Sequence, residues 1–525
     1  MKKLILMLLA AVVSSFSVLG GYGDGNAEAA NPAREELVFV NYRDIRDLNP
    51  HLYAGEMYAQ NIIYDRLVNL TADGYEPALA ESWEITDDGR VYTFKIREGV
   101  KFSDGEVCDA AAIKANFDAI IENKERHTWL EMMRLLKSVT TPGENMVRIE
   151  LTAPYYPMMT ELGVIRPFGM ISPKSMKNGS TKDGVDSFVG TGPYKLTEFA
   201  RDEYAVFEAN ELYWGQQPAI KKITVKVIPD NQTRILALEK GEIDLIFGKN
   251  EIDAEAINKY KGSEKFSVAL SDATSTRQIV LNSTADILKD ISVRKALQHA
   301  TNRAQISEGI FYGVEKPADT LFAATIPYCD IGLQPYEYDT AKATELLEQA
   351  GWKLSGKTRE KDGKKLALSL LYNSNSVTEK NIAEYLQSEY AKVGIAVSIR
   401  GEEEQSYRDN MKAGNFEMVF NICWGTPYDP QSSLTAMCLP VYGDYEAQQG
   451  IPDKKKIDES IKKALVTTDE KERQALFAFV LTRLHEEAVY IPITYECVKS
   501  VFRSDLKNVT FGQSQYEVPF YRMTF

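Results

Sequence analysis

The sequence contains few of the residues that build reactive or metal-binding centres. Its 525 residues include only 5 cysteines and 4 histidines. No C-x-x-C pair occurs, and the scattered histidines cannot form a His-rich cage, so zinc and thioredoxin-like sites are not predicted. Walker A and G-x-S-x-G segments are also missing, which lowers the expectation of nucleotide or ester hydrolysis. These absences favour a protein that is not an enzyme.

The five cysteines are expected to behave as buried, small apolar side chains. Their odd number leaves at least one free thiol. A bridge between Cys423 and Cys438 is open, because only the distance and orientation of the two side chains can decide it.

The net charge and the apolar runs of the sequence limit which partners the protein can bind and where in or outside the cell it is located. The formal charge of −14 disfavours nucleic acid and anionic membranes as partners. The single long apolar run, 4–18, follows Lys2 and Lys3 and precedes the small-residue motif Ala27-Glu28-Ala29. This pattern is typical of a cleaved signal peptide covering residues 1–29. We therefore expect an exported protein, either periplasmic or at the extracellular cell surface.

One detail of the predicted signal peptide bears on whether a lipid anchors the mature protein to a membrane. Leu19-Gly20-Gly21 is like the start of a lipoprotein signal, but Tyr22 follows where a lipid-bearing cysteine would stand. Tyrosine cannot carry that lipid, so the mature protein is predicted to be unlipidated.

Strand and helix patterns alternate along the chain, which predicts the α/β class. Tyr92, Phe94 and Ile96 alternate as in a half-buried strand. Asp109 and Asp339 each precede a helical apolar pattern and are predicted N-caps. The length requires more than one core, and no flexible linker divides the chain. We therefore expect two lobes joined by short crossing strands that act as a hinge.

Several short segments, ordered along most of the mature chain, carry a family pattern. They are Phe102-Ser103-Asp104-Gly105, Gly190-Thr191-Gly192-Pro193-Tyr194, Tyr213-Trp214-Gly215, Val293-Arg294 and Tyr338-Asp339. Together they resemble the extracellular solute-binding proteins that serve peptide and nickel ABC importers. The resemblance implies a binding protein that delivers its ligand to permease subunits in the membrane and that acts as a monomer.

The same resemblance implies a two-lobed periplasmic-binding-protein fold of the large class, with the ligand in the cleft between the lobes. Lobe 1 would cover residues 34–273 and would include an extra subdomain at about 77–186. Lobe 2 would cover residues 274–496. The tail, 497–525, would return to lobe 1.

Other segments resemble the nickel-binding branch of this family. They are Leu48-Asn49-Pro50-His51, Arg166-Pro167-Phe168 and Trp424-Gly425-Thr426-Pro427-Tyr428. The resemblance implies that the ligand is a divalent metal, nickel first, already wrapped in a small carboxylate-bearing chelator. No cofactor is implied.

The resemblance assigns roles to seven side chains. Arg126 and Arg166 would bind the chelator's carboxylates, since a guanidinium forms two-pronged contacts with them. Arg126 and Trp129 are expected on one side of a helical turn. Aromatic side chains would form the walls, and two residues near the N-terminus would close the cleft. The implied site is Tyr53, Met57, Arg126, Trp129, Arg166, Trp424 and Tyr428.

One position departs from the nickel-binding branch. Tyr442 stands where that branch often places a histidine that can reach the metal. A neutral phenol is a poorer nickel ligand than imidazole. No direct metal ligand is therefore predicted, and a fully chelated metal is favoured.

Three other functions stay open. In a peptide binder of the same fold, W-x-x-D commonly supplies a carboxylate for the peptide ammonium, but Pro427 occupies that position and the nearby carboxylate is Asp429. A buried ammonium without a counter-charge is costly, so this alternative ranks second. A secreted hydrolase has no supporting motif. A sensor that docks to a chemoreceptor is compatible with ligand binding.

Overall fold

The computed structural model describes residues 34–72, 74–440 and 442–525. The predicted signal peptide, 1–29, with Tyr22 and the cleavage motif, lies outside these residues. Glu35–Phe525 forms one unit. Within the described ranges, no helix combines the length and the apolar character that a membrane span needs.

The chain alternates strands and helices throughout, so the predicted α/β class is confirmed. The strands are β1 (Glu36–Asn41), β2 (Val68–Thr71), β3 (Gly74–Pro77), β4 (Ala80–Ile85), β5 (Val91–Ile96), β6 (Leu136–Gly143), β7 (Met146–Leu151), β8 (Met176–Lys177), β9 (Ser180–Val185), β10 (Tyr194–Ala200), β11 (Tyr204–Ala209), β12 (Lys222–Val227), β13 (Leu245–Gly248), β14 (Phe266–Leu281), β15 (Lys316–Pro317), β16 (Lys353–Ser355), β17 (Thr358–Lys361), β18 (Lys364–Lys365), β19 (Ala367–Asn373), β20 (Ala396–Glu402), β21 (Met418–Ile422) and β22 (Tyr490–Arg503).

The helices are α1 (Met57–Ile63), α2 (Ala110–Glu122), α3 (Glu131–Leu135), α4 (Met158–Leu162), α5 (Ile165–Phe168), α6 (Asn231–Glu239), α7 (Ala254–Tyr260), α8 (Ile291–His299), α9 (Arg303–Phe311), α10 (Thr340–Gln349), α11 (Val377–Lys392), α12 (Glu404–Ala413), α13 (Gln431–Met437), α14 (Gly443–Ala447), α15 (Lys454–Val466) and α16 (Glu470–Glu486). Short 3-10 turns lie at Lys124–His127, Pro173–Ser175 and Phe520–Arg522.

A mixed sheet of 11 strands organises the chain in the order β10-β11-β12-β1-β13-β22-β14-β21-β19-β20, with β15 paired to β22. In its first half, β1 runs parallel to β12 and β13. In its second half, β19 runs parallel to β20 and β21. The long antiparallel pair β14 and β22 belongs to both halves, because β13 pairs with β22 near Ser500 and β21 pairs with β14 near Ile279. The sequence predicted short strands that cross between the lobes, whereas the two strands shared by both halves have 16 and 14 residues.

The ladder between β14 and β22 is irregular in the middle of the crossing. Its register shifts between Leu270 and Ala273, between Ala273 and Ser275, and again after Arg277. Such irregularities bend a strand and increase its local twist. The proposed boundaries between lobes, at 273/274 and 496/497, fall in this region and stay predictions.

One predicted strand and two predicted helix N-caps can be compared directly with the structure. Tyr92, Phe94 and Ile96 are the buried residues of β5. The Asp109 carboxylate accepts a hydrogen bond from the Ala112 amide at 2.9 Å and begins α2. Asp339 caps α10 in the same way, through the Lys342 amide at 2.8 Å. These strand and cap predictions are confirmed.

All five cysteines are free thiols. Four of them are buried, and Cys438 is half-buried. The expectation of buried, unpaired cysteines holds for the four, and the open Cys423–Cys438 bridge is not formed. The Cys423 sulfur instead accepts a hydrogen bond from the Thr276 amide.

Two of the hydrophobic clusters follow the two halves of the 11-stranded sheet. One cluster surrounds β1 and β12 and includes side chains of the C-terminal tail. There, the Phe39 and Phe520 rings lie 5.1 Å apart, edge to face. A second cluster covers the half around β19 and β21. The tail therefore packs on the first half of the sheet.

Candidate functional site

Arg166 lies in the short helical segment α5 with an extended backbone, φ −112° and ψ 118°. This is the geometry expected for a residue that precedes proline. Its Nη2 donates hydrogen bonds to the Ala54 carbonyl at 2.6 Å and to the Gly55 carbonyl at 2.8 Å. A third acceptor, Oε1 of Gln60, lies 3.1 Å away. Arg166 therefore holds the loop that carries Tyr53.

One nitrogen of the Arg166 guanidinium lacks a hydrogen-bond partner among the described residues. This nitrogen, Nε, is buried. The Arg166 Cζ lies 5.4 Å from the centre of the Tyr53 ring. Burial lowers the pKa of Arg166, against the opposing influence of Tyr53 and Tyr428. A buried, partly unsatisfied cation of this kind favours an anionic group from a ligand.

Three aromatic side chains stand next to this arginine. The Tyr53 and Trp129 rings lie 6.2 Å apart, and the Trp129 and Tyr428 rings lie 5.5 Å apart, both edge to face. Tyr53 is exposed, whereas Tyr428 is buried. Burial raises the pKa of Tyr428, so its phenol stays protonated. The structure thus brings together four of the seven predicted residues in one row: Arg166, Tyr53, Trp129 and Tyr428.

The turn that carries Trp424 and Tyr428 is fixed by buried polar contacts. The Asp429 carboxylate accepts hydrogen bonds from the Gly425 amide at 2.7 Å and from the Ser433 hydroxyl. Gly425 has φ +82°, and a Cβ there would lie 2.4 Å from Nε2 of Gln515. Only glycine fits this turn without displacing the C-terminal segment.

Trp424 forms a second aromatic pair. Its ring lies 5.9 Å from the Tyr442 ring, edge to face. A cavity of ≈ 200 Å³ lies between these residues and Trp129. Its lining is Thr128, Trp129, Glu131, Arg134, Tyr155, Glu161, Trp424, Ser432, Thr435, Ala436, Leu439 and Tyr442.

Arg126 is exposed, and the structure records no ion pair or side-chain hydrogen bond for it among the described residues. It lies in the 3-10 turn Lys124–His127, whereas Trp129 follows the end of that turn. Thr128 keeps helical backbone angles after this turn, and the prediction that Arg126 and Trp129 lie on one side of a helical turn stays a prediction. Both Arg126 and Arg166 lower the pKa of His127, which places both cations in its vicinity.

Met57 is the first residue of α1 and is partly buried. It packs against the hydrophobic cluster around β1. Its predicted role in closing the cleft stays a prediction.

The histidines near this site are structural. His51 is fully buried, with Nδ1 3.1 Å from the Thr181 hydroxyl and Nε2 3.2 Å from the Gly169 carbonyl. Nε2 of His127 lies 2.8 Å from the His51 carbonyl. Throughout the described part of the chain, no group of three or more His, Cys, Asp or Glu side chains could hold a metal ion.

The structure adds residues that sequence patterns did not single out. Burial raises the pKa of Tyr516, which also responds to Lys249, Tyr53 and Arg166 and so lies near them. Arg134 lines the ≈ 200 Å³ cavity. Tyr516 lies in the C-terminal tail, which has no periodic pattern, so only the family's overall topology could have pointed to it.

Glu161 is the buried carboxyl of this cavity. It accepts hydrogen bonds from the Tyr155 hydroxyl at 2.5 Å and from the Met132 amide at 3.0 Å. Burial raises the pKa of Glu161 to about 7, although both hydrogen bonds oppose the shift. The cavity therefore keeps a carboxyl that is partly protonated near neutral pH.

The family model of bacterial extracellular solute-binding proteins, family 5 (middle part), matches residues 74–443. The chain belongs to this family. Family 5 membership confirms the resemblance seen in the sequence and the two-lobed α/β fold with a cleft between the lobes.

Named relatives in family 5 extend over nearly the whole chain. The nickel-binding periplasmic protein of Escherichia coli (strain K12) is 41% identical over 493 residues, which cover 93% of this chain and 94% of that protein. NikA from Brucella suis, solved in complex with Fe(III)-EDTA, superposes with a TM-score of 0.90 at 47% identity and covers 93% of this chain and 99% of its own. NikZ from Campylobacter jejuni, in complex with Ni(L-His), has a TM-score of 0.73 at 25% identity, with 94% and 100% of the chains covered.

Proposed function

We propose that this protein is the solute-binding component of an ABC importer and that it captures a divalent metal, nickel foremost, held by a small carboxylate chelator. The observation that carries the proposal is the buried Arg166, whose Nε has no hydrogen-bond partner among the described residues, beside the row Tyr53, Trp129 and Tyr428. A guanidinium beside aromatic walls suits a compact anion with apolar faces.

A chelated metal suits this site better than a bare cation. Arg166 and Arg126 would repel a naked metal ion but attract the carboxylates that surround a chelated one. Tyr442, half-exposed beside Trp424, offers a phenol where a histidine would offer a nickel ligand. The ligands of two related structures, Fe(III)-EDTA and Ni(L-His), have this chemistry in common, a metal within a carboxylate-bearing chelator.

A peptide ligand is less favoured. Asp429, the carboxylate nearest to the usual position of the ammonium anchor, is buried and accepts hydrogen bonds from Gly425 and Ser433. Releasing it for a peptide amine would leave those donors unsatisfied. The two related nickel and iron-chelate complexes support the same order of preference.

The remaining parts of the proposal follow from the family. The protein would act without chemistry on its ligand, as an exported monomer, periplasmic or at the cell surface. It would be unlipidated because of Tyr22, and it would deliver the chelate to permease subunits. The periplasmic location is supported by the similarity to the nickel-binding periplasmic protein of Escherichia coli.

Calorimetry on the mature protein tests the ligand class. We expect weak binding of nickel alone in chelator-free buffer and much tighter binding of nickel with an excess of L-histidine. Equal tight binding of the bare ion, or tight binding of dipeptides only, would overturn the proposal. Native mass spectrometry of protein purified from rich medium gives a second readout, namely the ligand mass and the metal isotope pattern.

A further inference from the structure

A second cavity, of ≈ 340 Å³, lies apart from the two arginines. It is formed where the four-stranded sheet β4-β5-β7-β6 faces the turn after α15. Its lining is Tyr75, Trp83, Ile85, Thr86, Asp87, Gly89, Tyr92, Tyr155, Tyr156, Met159, Val466 and Thr468. Five of these twelve residues are aromatic, which is far above the 10% of the whole chain.

The tyrosine hydroxyls of this cavity are engaged with the protein. The Tyr75 hydroxyl lies 3.0 Å from the Thr160 hydroxyl, and the Tyr92 hydroxyl donates to the Tyr155 carbonyl at 3.0 Å. The Tyr155 hydroxyl donates to Glu161. Since these polar ends are bonded, the cavity offers a ligand mainly aromatic ring surface.

The charge of the cavity is negative. Asp87 is the one charged residue among those that line it. Asp87 is exposed, and no ion pair is recorded for it within residues 34–72, 74–440 and 442–525. Arg473, whose Cζ lies 2.9 Å from the centre of the Tyr156 ring, is fully buried and paired with Glu470 at 2.6 Å. This paired cation lies against Tyr156, so the ring surface left for a ligand cation is mainly that of the other four aromatic residues.

We propose that this cavity binds a small organic cation of the methylated-ammonium class. Such a cation is attracted to the faces of Trp and Tyr rings and has few hydrogen bonds to lose on leaving water. Trp83 and the tyrosines supply the ring surface, and Asp87 supplies the counter-charge at the rim. The carboxylates of a metal chelate would be repelled here, so this site and the arginine site have opposite ligand preferences.

The site joins distant parts of the chain. Tyr75 to Met159 come from one stretch, whereas Val466 is the last residue of α15 and Thr468 lies in the turn after it. The two parts already touch, because the Tyr156 amide donates to the Leu465 carbonyl at 2.8 Å. A ligand that contacts both parts stabilises their packing and raises the unfolding midpoint of the protein.

The test compares choline with its neutral analogue dimethylbutanol, in which a carbon atom replaces the nitrogen. Calorimetry and thermal unfolding are recorded on the mature protein without metal or chelator. We expect choline to bind about tenfold more tightly than the neutral analogue and to raise the unfolding midpoint. Equal binding of both compounds would show an apolar cavity only, and binding of neither would also overturn the proposal.

Variants locate the site. Trp83→Leu should weaken choline binding about tenfold, and Trp83→Phe should recover part of the loss. Asp87→Asn, which keeps the side-chain shape, should weaken it about threefold. Glu84→Gln is the matched control, because Glu84 lies on β4 between Trp83 and Ile85 and so faces the other side of the sheet. Unchanged choline binding in both Trp83→Leu and Asp87→Asn, with normal folding, would place the cation elsewhere.

The result of the choline experiment is independent of the proposal that the protein binds a metal chelate. Binding of nickel with L-histidine should be the same in Trp83→Leu, Asp87→Asn and Glu84→Gln as in the parent. A protein that binds choline but no chelate would overturn the proposed function and leave this inference intact. A protein that binds the chelate but not choline would overturn this inference and leave the proposed function intact.

Discussion

The guanidinium of Arg166 lies 5.4 Å from the centre of the Tyr53 ring and also donates to the carbonyl groups of the two residues that follow Tyr53. One buried cation therefore fixes the loop that carries an exposed aromatic side chain. Within the part of the chain that the structure describes, its Nε has no hydrogen-bond partner. The residue proposed to bind the ligand is thus also a structural residue, and its two roles can be separated by mutation.

Arg166→Ala should reduce both ligand binding and stability. We expect chelate affinity to fall by more than tenfold, since loss of a charged partner in a closed site costs about 2–5 kcal/mol. Because Nη2 forms three hydrogen bonds with the protein, we also expect the free energy of unfolding to fall by about 1–3 kcal/mol, measurable by denaturant unfolding. Arg166→Lys should recover part of the binding only.

Arg126→Ala provides the matched comparison. This side chain is exposed and has no recorded partner in the described ranges. The variant should therefore lose chelate affinity with an unfolding midpoint like that of the parent. Calorimetry that shows normal chelate binding in both arginine variants would remove the carboxylate-binding role from this pair.

Tyr442→His should add a metal ligand to the site. Tyr442 is partly exposed and lies 5.9 Å from Trp424, ring centre to ring centre, at the ≈ 200 Å³ cavity. A neutral imidazole is a good nickel ligand, whereas a protonated phenol is not. We expect tighter binding of nickel bound to L-histidine, lost again below the pKa of the new imidazole. Tyr442→Phe, the control, should bind like the parent. Identical affinities for all three proteins would show that the metal does not approach this position.

The buried His51 should make stability fall in mild acid. The Gly169 carbonyl can only accept, so Nε2 carries the proton and Nδ1 accepts from the Thr181 hydroxyl. Burial lowers the pKa of His51 from 6.5 to about 3. The unfolded chain therefore binds a proton that the folded chain does not. The free energy of unfolding falls as the pH drops below the ordinary histidine pKa of 6.5.

The expected loss is about 2 kcal/mol between about pH 6.5 and about pH 5, measured by denaturant unfolding. His51→Gln should be less stable than the parent at neutral pH, but its free energy of unfolding should fall less steeply with decreasing pH in this interval. An NMR titration in which the His51 ring protonates near its ordinary pKa would contradict the prediction.

Patterns of neighbouring residues account for what the sequence could predict. The alternation at Tyr92, Phe94 and Ile96 marks β5, because one face of that sheet is buried. Asp109 marks the start of α2 because a carboxylate satisfies a free amide there. Pro167 sets the extended backbone of Arg166. Each of these signals is local.

The rest depends on contacts between distant residues. Tyr516 reaches the neighbourhood of Arg166 only through the return of the tail, and no local pattern marks it. The lengths of β14 and β22 were not predicted either. Buried polar and charged residues interrupt the apolar pattern of these two crossing strands.

Those buried charges are the basis of the last prediction. Glu496 on β22 accepts hydrogen bonds from Lys249 Nζ at 2.8 Å, from Arg277 Nη2 at 2.5 Å and from the Ser275 hydroxyl at 2.6 Å. Glu315, 3.6 Å from Arg277 and 3.4 Å from the buried Lys499, extends the cluster. Lys249 follows β13 in the first half of the sheet, and Arg277 lies on β14, so Glu496 ties the first half to the crossing strands.

Glu496→Gln should destabilise the protein by about 3–5 kcal/mol, because it leaves Lys249 and Arg277 buried without a full counter-charge. Glu81→Gln is the control: Glu81 pairs with Lys95 at 2.5 Å on the surface, where such pairs contribute little. Lys249 and Arg277 lower the pKa of Glu496, so its contribution is present above the ordinary carboxyl value of 4.5 and is lost as pH falls toward the lowered value. Unfolding curves at several pH values should therefore converge for parent and Glu496→Gln in acid. Equal stability of the two proteins at neutral pH would show that the crossing strands do not depend on this cluster.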